Sequence, residues 1–178
     1  MKKKLVKLLI ATLLSSAFAG AATINLSAGL PSQGITTTVD GVASTQHLLA
    51  VGNFSEGVFT IFGSAIVDTD KLNGQFVATG PTSLNGLAVH LFVGSGSTVE
   101  NSEQFVILAN TTSNPLFPAD VTGTGATTYI ASQGSQLSIV SSNNASLTGN
   151  VIDFTAVPEP SVAILGALGA LGLIRRRR

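Results

Sequence analysis

His47 and His90 are the chain's only imidazoles, and it contains no cysteine. A zinc site needs several converging donors, so both histidines and nearby carboxylates would have to meet. His90 lies in Leu87-Ala88-Val89-His90-Leu91-Phe92, an alternating pattern that sends it to one face of a strand, and a satisfied or surface histidine is the preferred reading. Asp68-Thr69-Asp70-Lys71-Leu72-Asn73-Gly74 sets two acids and an amide at odd positions before a glycine, as part of a calcium loop does. Leu72 stands where a ligand belongs and no terminal bidentate Glu follows, so a hairpin loop is favoured. Glu100 and Glu103 have the chemistry of a glycosidase carboxylate pair, without an aromatic subsite beside them. Serines are plentiful, but there is no G-x-S-x-G elbow. Gly94-Ser95-Gly96 lacks the third glycine of a dinucleotide loop. No catalytic residue, metal or cofactor is expected, and the chain is not expected to be an enzyme.

The stronger chemistry is done to the chain, at its ends. Pro158 and Pro160 push Val157 and Glu159 toward extended backbone, so Val157-Pro158-Glu159-Pro160-Ser161 suits a protease-like cleft that binds a strand. An uncharged run follows, from Val162 to Ile174, and then Arg175, Arg176, Arg177 and Arg178. As a helix, residues 161–174 would span ~21 Å, against about 30 Å for a bilayer core. The run has no polar face, which argues against an ordinary core helix, and snorkelling arginines with local thinning close part of the gap. Ala163, Gly166, Ala167 and Ala170 fall at helical spacings and offer a small-residue face for close helix contact. The arginines favour the cytoplasmic side. At the other end, Lys2, Lys3, Lys4 and Lys7 precede the apolar stretch Leu8–Leu14. Ala17-Phe18-Ala19 and Ala19-Gly20-Ala21 are two A-x-A sites. That is a secretory signal peptide, with the mature chain expected to begin at Gly20 or Ala22.

Val157-Pro158-Glu159-Pro160-Ser161, the short apolar segment and Arg175–Arg178, in that order, resemble the PEP-CTERM sorting tail of bacterial surface proteins. The resemblance implies an exosortase as partner, an integral-membrane cysteine transpeptidase-like enzyme that cuts near the Pro-Glu-Pro motif. It also implies association with exopolysaccharide. The segment from Leu84 to Pro118 resembles a stretch of other exported, tailed proteins, which implies a common fold and no activity.

The formal net charge of zero hides a separation. Between Gly20 and Val157 the only basic residue is Lys71, and one lysine against eight carboxylates leaves this part at −7 with His neutral. Nucleic acid is excluded as a partner by that balance, and charge attraction is no route to an anionic polysaccharide. Sugar-binding surfaces favour Trp and Tyr; here there is no Trp and a single Tyr, Tyr129.

The region between the ends must be positioned without disulfides, and it is long enough to bury a core unaided. It is rich in Val, Ile, Phe, Thr, Ser and Gly and poor in long charged residues, so all-β structure is expected. Expected strands are 35–39, 47–51, 58–67, 75–79, 88–93, 104–109, 127–131, 136–140 and 145–154. Asn73-Gly74 and Asn85-Gly86 have tight-hairpin chemistry. Leu72–Val77 is echoed by Leu84–Val89, which suggests a meander. The expected plan is a signal peptide over 1–21, one β-sandwich or partly open barrel over 22–156, and a sorting tail over 157–178 with a transmembrane helix. The expected partners are the Sec machinery, signal peptidase, exosortase, transiently the inner membrane, and exopolysaccharide. The expected role is a structural cell-surface or matrix protein of a biofilm. The alternatives are a carbohydrate-binding module of the matrix and a secreted hydrolase.

Overall fold

The structure is a computed structural model, in which the described residues are 21–27, 35–43, 46–67, 73–130 and 134–156. Among them run the strands β1 (Ala22–Ser27), β2 (Thr36–Val39), β3 (Val42–Ala43), β4 (His47–Ser55), β5 (Val58–Val67), β6 (Asn73–Ala78), β7 (His90–Gly94), β8 (Phe105–Asn110), β9 (Ala126–Ile130), β10 (Leu137–Asn143), β11 (Ala145–Thr148) and β12 (Val151–Phe154). The only helical turns among the described residues are short 3-10 pieces at Thr82–Leu84 and Gly134–Gln136. The all-β expectation is met. No helix of the described residues is long and apolar enough to cross a membrane. Residues 1–20 of the expected signal peptide (1–21) and the tail 157–178 lie outside the described residues.

The strands form three sheets. A five-stranded antiparallel sheet has the order β10-β8-β7-β4-β5. A three-stranded sheet has the order β6-β1-β9, with β1 antiparallel to β6 and parallel to β9. A four-stranded sheet has the order β11-β12-β2-β3, with β12 parallel to β2. All three contribute to one core: Leu49, Val51, Leu91, Val93, Val106 and Leu108 from the five-stranded sheet meet Ile24, Phe76 and Tyr129, and Ile152 and Phe154. The period of two along each strand puts these residues on one face. In β5 the register shifts: Val51 pairs with Gly63 and Gly52 with Ile61, which leaves Phe62 as an extra residue. This bulge turns Phe62 inward, where its ring lies 5.5 Å from that of Phe117.

Strand β5 has the expected bounds, and the other expected strands appear with shifted ends or a split. The stretch expected as one strand over 145–154 is two, because Gly149 with φ 58° turns the chain back between β11 and β12. Two expectations are corrected. Asn73-Gly74 is not a turn but the start of β6, paired with Ser27 and Leu26 of β1. Asn85-Gly86 follows the first 3-10 turn rather than closing a hairpin, and the Asn85 carboxamide oxygen accepts the Val121 N–H at 3.0 Å. The apparent repeat therefore covers a strand in one copy and a 3-10 turn in the other. The tight hairpins sit elsewhere, at Asp40-Gly41 (φ 49° and 77°) and Glu56-Gly57 (φ 52° and 82°). Both central residues have positive φ, as a two-residue hairpin with the right twist requires.

Candidate functional site

The sorting motif Val157, Pro158, Glu159, Pro160 and Ser161 and the cluster Arg175–Arg178 lie outside the described residues, as do Ala17 and Ala19. Ala21 is half-buried just before β1, and Ala22, the first strand residue, is fully buried. The structure does show where the chain leaves the sheets toward the motif. Gln104, at the head of β8, donates from its side-chain amide to the Thr155 carbonyl. The Thr155 N–H donates to the Asn144 carbonyl at 2.9 Å. The Ala156 N–H donates to the Asp40 carboxylate at 3.0 Å. Three contacts thus fix the last two residues before Val157, and both are exposed.

Asp40 and Asp153 sit together at this end. The Thr38 hydroxyl at 2.5 Å and the Gly41 N–H at 2.9 Å both donate to one Asp153 oxygen. These bonds hold the Asp153 carboxyl below its ordinary range, the Thr38 hydroxyl contributing most. Among the described residues no group of three or more His, Cys, Asp and Glu is placed to hold a metal.

The two histidines are apart. His47 opens β4, buried, with Nδ1 3.2 Å from the Thr37 hydroxyl. His90 opens β7 opposite Gly52, five residues further along β4, a separation of about 17 Å. His90 Nδ1 accepts the Phe54 N–H at 3.2 Å, which fixes the neutral ring with its proton on Nε2. Burial lowers the His90 pKa.

A cavity of about 330 Å³ beside the chain exit is lined by Val39, Ser95, Asn101, Glu103, Gln104 and Ala156. Glu103 lines it and Glu100 does not, so the two carboxylates expected as a possible pair do not share this cleft. Tyr129, the one residue able to serve as a phenolic sugar platform, is fully buried in the core. Its hydroxyl has no hydrogen-bond partner, and burial raises its pKa. The calcium-like stretch falls mostly on 68–72, outside the described residues.

One feature was not read from the sequence. The face of the five-stranded sheet turned away from the core carries its own apolar cluster: Leu48, Ala50, Phe92 and Ile107, with Phe54, Phe59, Val99 and Phe105 packed around them. The rings of Phe105, Phe92 and Phe59 form a row, with centroids 5.3 and 5.5 Å apart. Glycines leave room for the rings. A Cβ on Gly94 would lie 2.6 Å from the Phe92 ring, and one on Gly52 would lie 2.8 Å from the Phe59 ring. The signal was present in His47-Leu48-Leu49-Ala50-Val51 and Leu91-Phe92-Val93, which do not alternate with polar residues and so read as strands covered on both faces.

Comparisons of this chain with family models, with curated proteins and with solved structures found no match.

Proposed function

We propose that this chain is an exported cell-surface or extracellular-matrix protein of the PEP-CTERM kind, sorted and processed through its tail, with a structural, non-catalytic role beside exopolysaccharide. On this reading residues 1–21 are removed by signal peptidase after Sec export. Residues 22–156 form a sandwich, the five-stranded sheet facing the two smaller ones. Residues 157–178 hold the protein transiently in the inner membrane until an exosortase cuts near Pro158-Glu159-Pro160. The observation that carries the reading is the exit. The last described strand ends at Phe154, and Thr155 and Ala156, the two residues that lead into the motif, are exposed at the rim of the sheets. An enzyme that reads an extended peptide is served by a motif joined to the end of a fold rather than set inside a strand.

The experiment replaces Pro158, Glu159 and Pro160 by alanine in the native host. Membrane fractionation and intact-mass measurement should then find the protein retained in the inner membrane with Arg175–Arg178 still attached, while the unaltered chain is released without them. Release at the same mass as the unaltered protein overturns the reading.

A further inference from the structure

An asparagine carboxamide accepts a sugar where a serine or threonine follows two residues on and the residue between is not proline. The chain holds four such sequences: Asn25-Leu26-Ser27, Asn53-Phe54-Ser55, Asn110-Thr111-Thr112 and Asn144-Ala145-Ser146. Their places in the fold differ, and three are closed. Asn53 is 8% exposed, and its amide nitrogen donates to the Ala88 carbonyl at 2.9 Å. Asn110 is 3% exposed; its amide nitrogen donates to the Ile130 carbonyl at 2.6 Å, and its oxygen accepts the Thr112 and Ser113 N–H groups, each at 2.9 Å. In both, the nitrogen that would be modified is buried and already donating. Asn25 lies in the middle of β1, whose backbone is paired on one side with β6 and on the other with β9, and its oxygen accepts the Gln75 amide at 2.7 Å. A central strand is not drawn out into an enzyme's cleft without breaking its sheet.

We infer that Asn144 is a glycan acceptor, modified on its side-chain nitrogen. It stands alone between β10, which ends at Asn143, and β11, which begins at Ala145, so it is the corner at which the chain passes from the five-stranded sheet to the four-stranded one. Its φ of 49° turns the backbone sharply there, a conformation asparagine tolerates better than most residues. Ala145 turns inward and packs against the core, whereas Asn144 and Ser146 on either side of it are exposed. The carboxamide and the hydroxyl two residues on are thus presented together. β11 is an edge strand, so one flank of this stretch has no neighbouring strand of its sheet for a transferase to displace.

The transfer balances without oxidant or reductant. The Asn144 nitrogen attacks C1 of a sugar carried on a phosphate ester. The C1–N bond forms, the C1–O bond to phosphate breaks, the phosphate ester leaves with the electron pair, and one amide proton passes to a base of the transferase. Such a donor is either a nucleotide-linked sugar or a polyprenyl-linked one. The Asn144 carbonyl accepts the Thr155 N–H at 2.9 Å, so the glycan stands at the rim from which the chain leaves the sheets.

The test recovers the full chain from its native host, in all its forms, and reads intact mass and the fragments of the peptide that holds Asn144. The expected result is a mass above that of the polypeptide by whole sugar residues, carried on Asn144. Asn144→Asp, which tolerates the same positive φ, and Ser146→Ala should each lose the added mass, and Ser146→Thr should keep it. All three should keep the circular dichroism of the unaltered chain, which separates loss of sugar from loss of fold. Sugar on chains that still carry residues 1–21 assigns the nucleotide-linked donor, met before export. Sugar only on chains that have lost them assigns the polyprenyl-linked donor, met afterwards. No added mass on any form, added mass that survives Asn144→Asp, or a sugar mapped to Asn25, Asn53, Asn110 or a hydroxyl overturns the inference. Cutting of the tail appears in the same spectra as a separate loss of mass, so either idea can fail alone.

Discussion

Strand β12 alternates: Ile152 and Phe154 are buried, and Val151 and Asp153 between them are not. Strand β4 does not alternate, and seven consecutive residues from His47 to Asn53 are buried. The same contrast separates the sheets. On the three-stranded sheet the residues facing away from the core include Thr23, Asn25, Gln75 and Thr128, with Gln75 donating to Asn25 at 2.7 Å. On the five-stranded sheet the corresponding face is Leu48, Ala50, Phe92 and Ile107. The outward face of the three-stranded sheet, mostly hydroxyls and amides with Val77 and Ile130 among them, is left to water. One of leucine and phenylalanine has to be covered, and here Leu48, Ala50, Phe92 and Ile107 are each 2% exposed or less, with Phe54, Phe59, Val99 and Phe105 packed around them. The two surfaces therefore have different roles, and the difference can be measured.

The largest effect should lie on the face shared with the other sheets. Leu91→Ala empties a fully buried core position, and urea melts should register a loss of ~2–5 kcal/mol. Phe59→Ser, on the opposite face, removes a half-buried ring and should cost only about 1 kcal/mol. Equal costs would break the distinction between the large core shared by three sheets and the small cluster on the outer face.

Gly94 sharpens the contrast, because it ties the outer face to the Ser95–Gln104 loop. A Cβ there would stand 2.5 Å from the Ser102 hydroxyl oxygen as well as against the Phe92 ring. Ser102 in turn donates to the Thr98 carbonyl at 2.8 Å and accepts the Gly96 N–H at 3.1 Å. Gly94→Ala should lower stability by about 1–3 kcal/mol through overpacking and speed amide exchange at Gly96. A neutral substitution would mean the loop is not held by that contact.

How much of this was legible differs by element. β5, the strand starts near His47 and Phe105, and the β-rich class follow from runs of branched and aromatic residues. β1 was missed because Ala22–Ser27 follows the signal segment directly, and its pairing with β9 lies about a hundred residues away, beyond any local pattern. Asn73-Gly74 misled because turn chemistry is permissive: the pair also fits a strand end where β1 supplies partners. The Asp40-Gly41 hairpin carried a usable signal in its D-G pair, whereas Glu56-Gly57 carried only the glycine. The second apolar cluster was carried by runs such as Leu48-Leu49-Ala50-Val51, which lack polar alternation, but which strands bring their outward residues together depends on the pairing of β4 with β7 and β7 with β8, far apart in the sequence. The reading of His90 as a satisfied histidine fits its Nδ1, which accepts the Phe54 N–H.

Tyr129 gives a smaller test, inside the shared core. Its hydroxyl is buried with no partner, so the fold carries its desolvation without a compensating bond. Tyr129→Phe should raise stability by up to about 1 kcal/mol, read as a higher urea midpoint at an unchanged slope. A loss instead would mean that the hydroxyl is solvated within the core.

The smallest effect is confined to pH and to the outer face. His90 Nδ1 must stay unprotonated to accept the Phe54 N–H, and burial lowers its pKa below the ordinary 6.5. The sign follows from linkage. Above 6.5 neither the folded nor the unfolded chain holds the proton, so His90 adds no pH dependence there. Below 6.5 the unfolded chain takes it up and the folded chain resists, so stability falls as pH drops from 6.5 through the lowered folded value. Asp153 and Asp120, whose pKa values are also lowered, act in a separate window: their contribution is present above 3.8 and is lost only as pH falls below it. The slope between those ranges should therefore shrink in His90→Gln, whose side-chain oxygen can still accept the Phe54 N–H. Urea melts at stepped pH on both chains measure it. An unchanged slope would place the proton on another group and leave the Phe54 bond with a purely structural role.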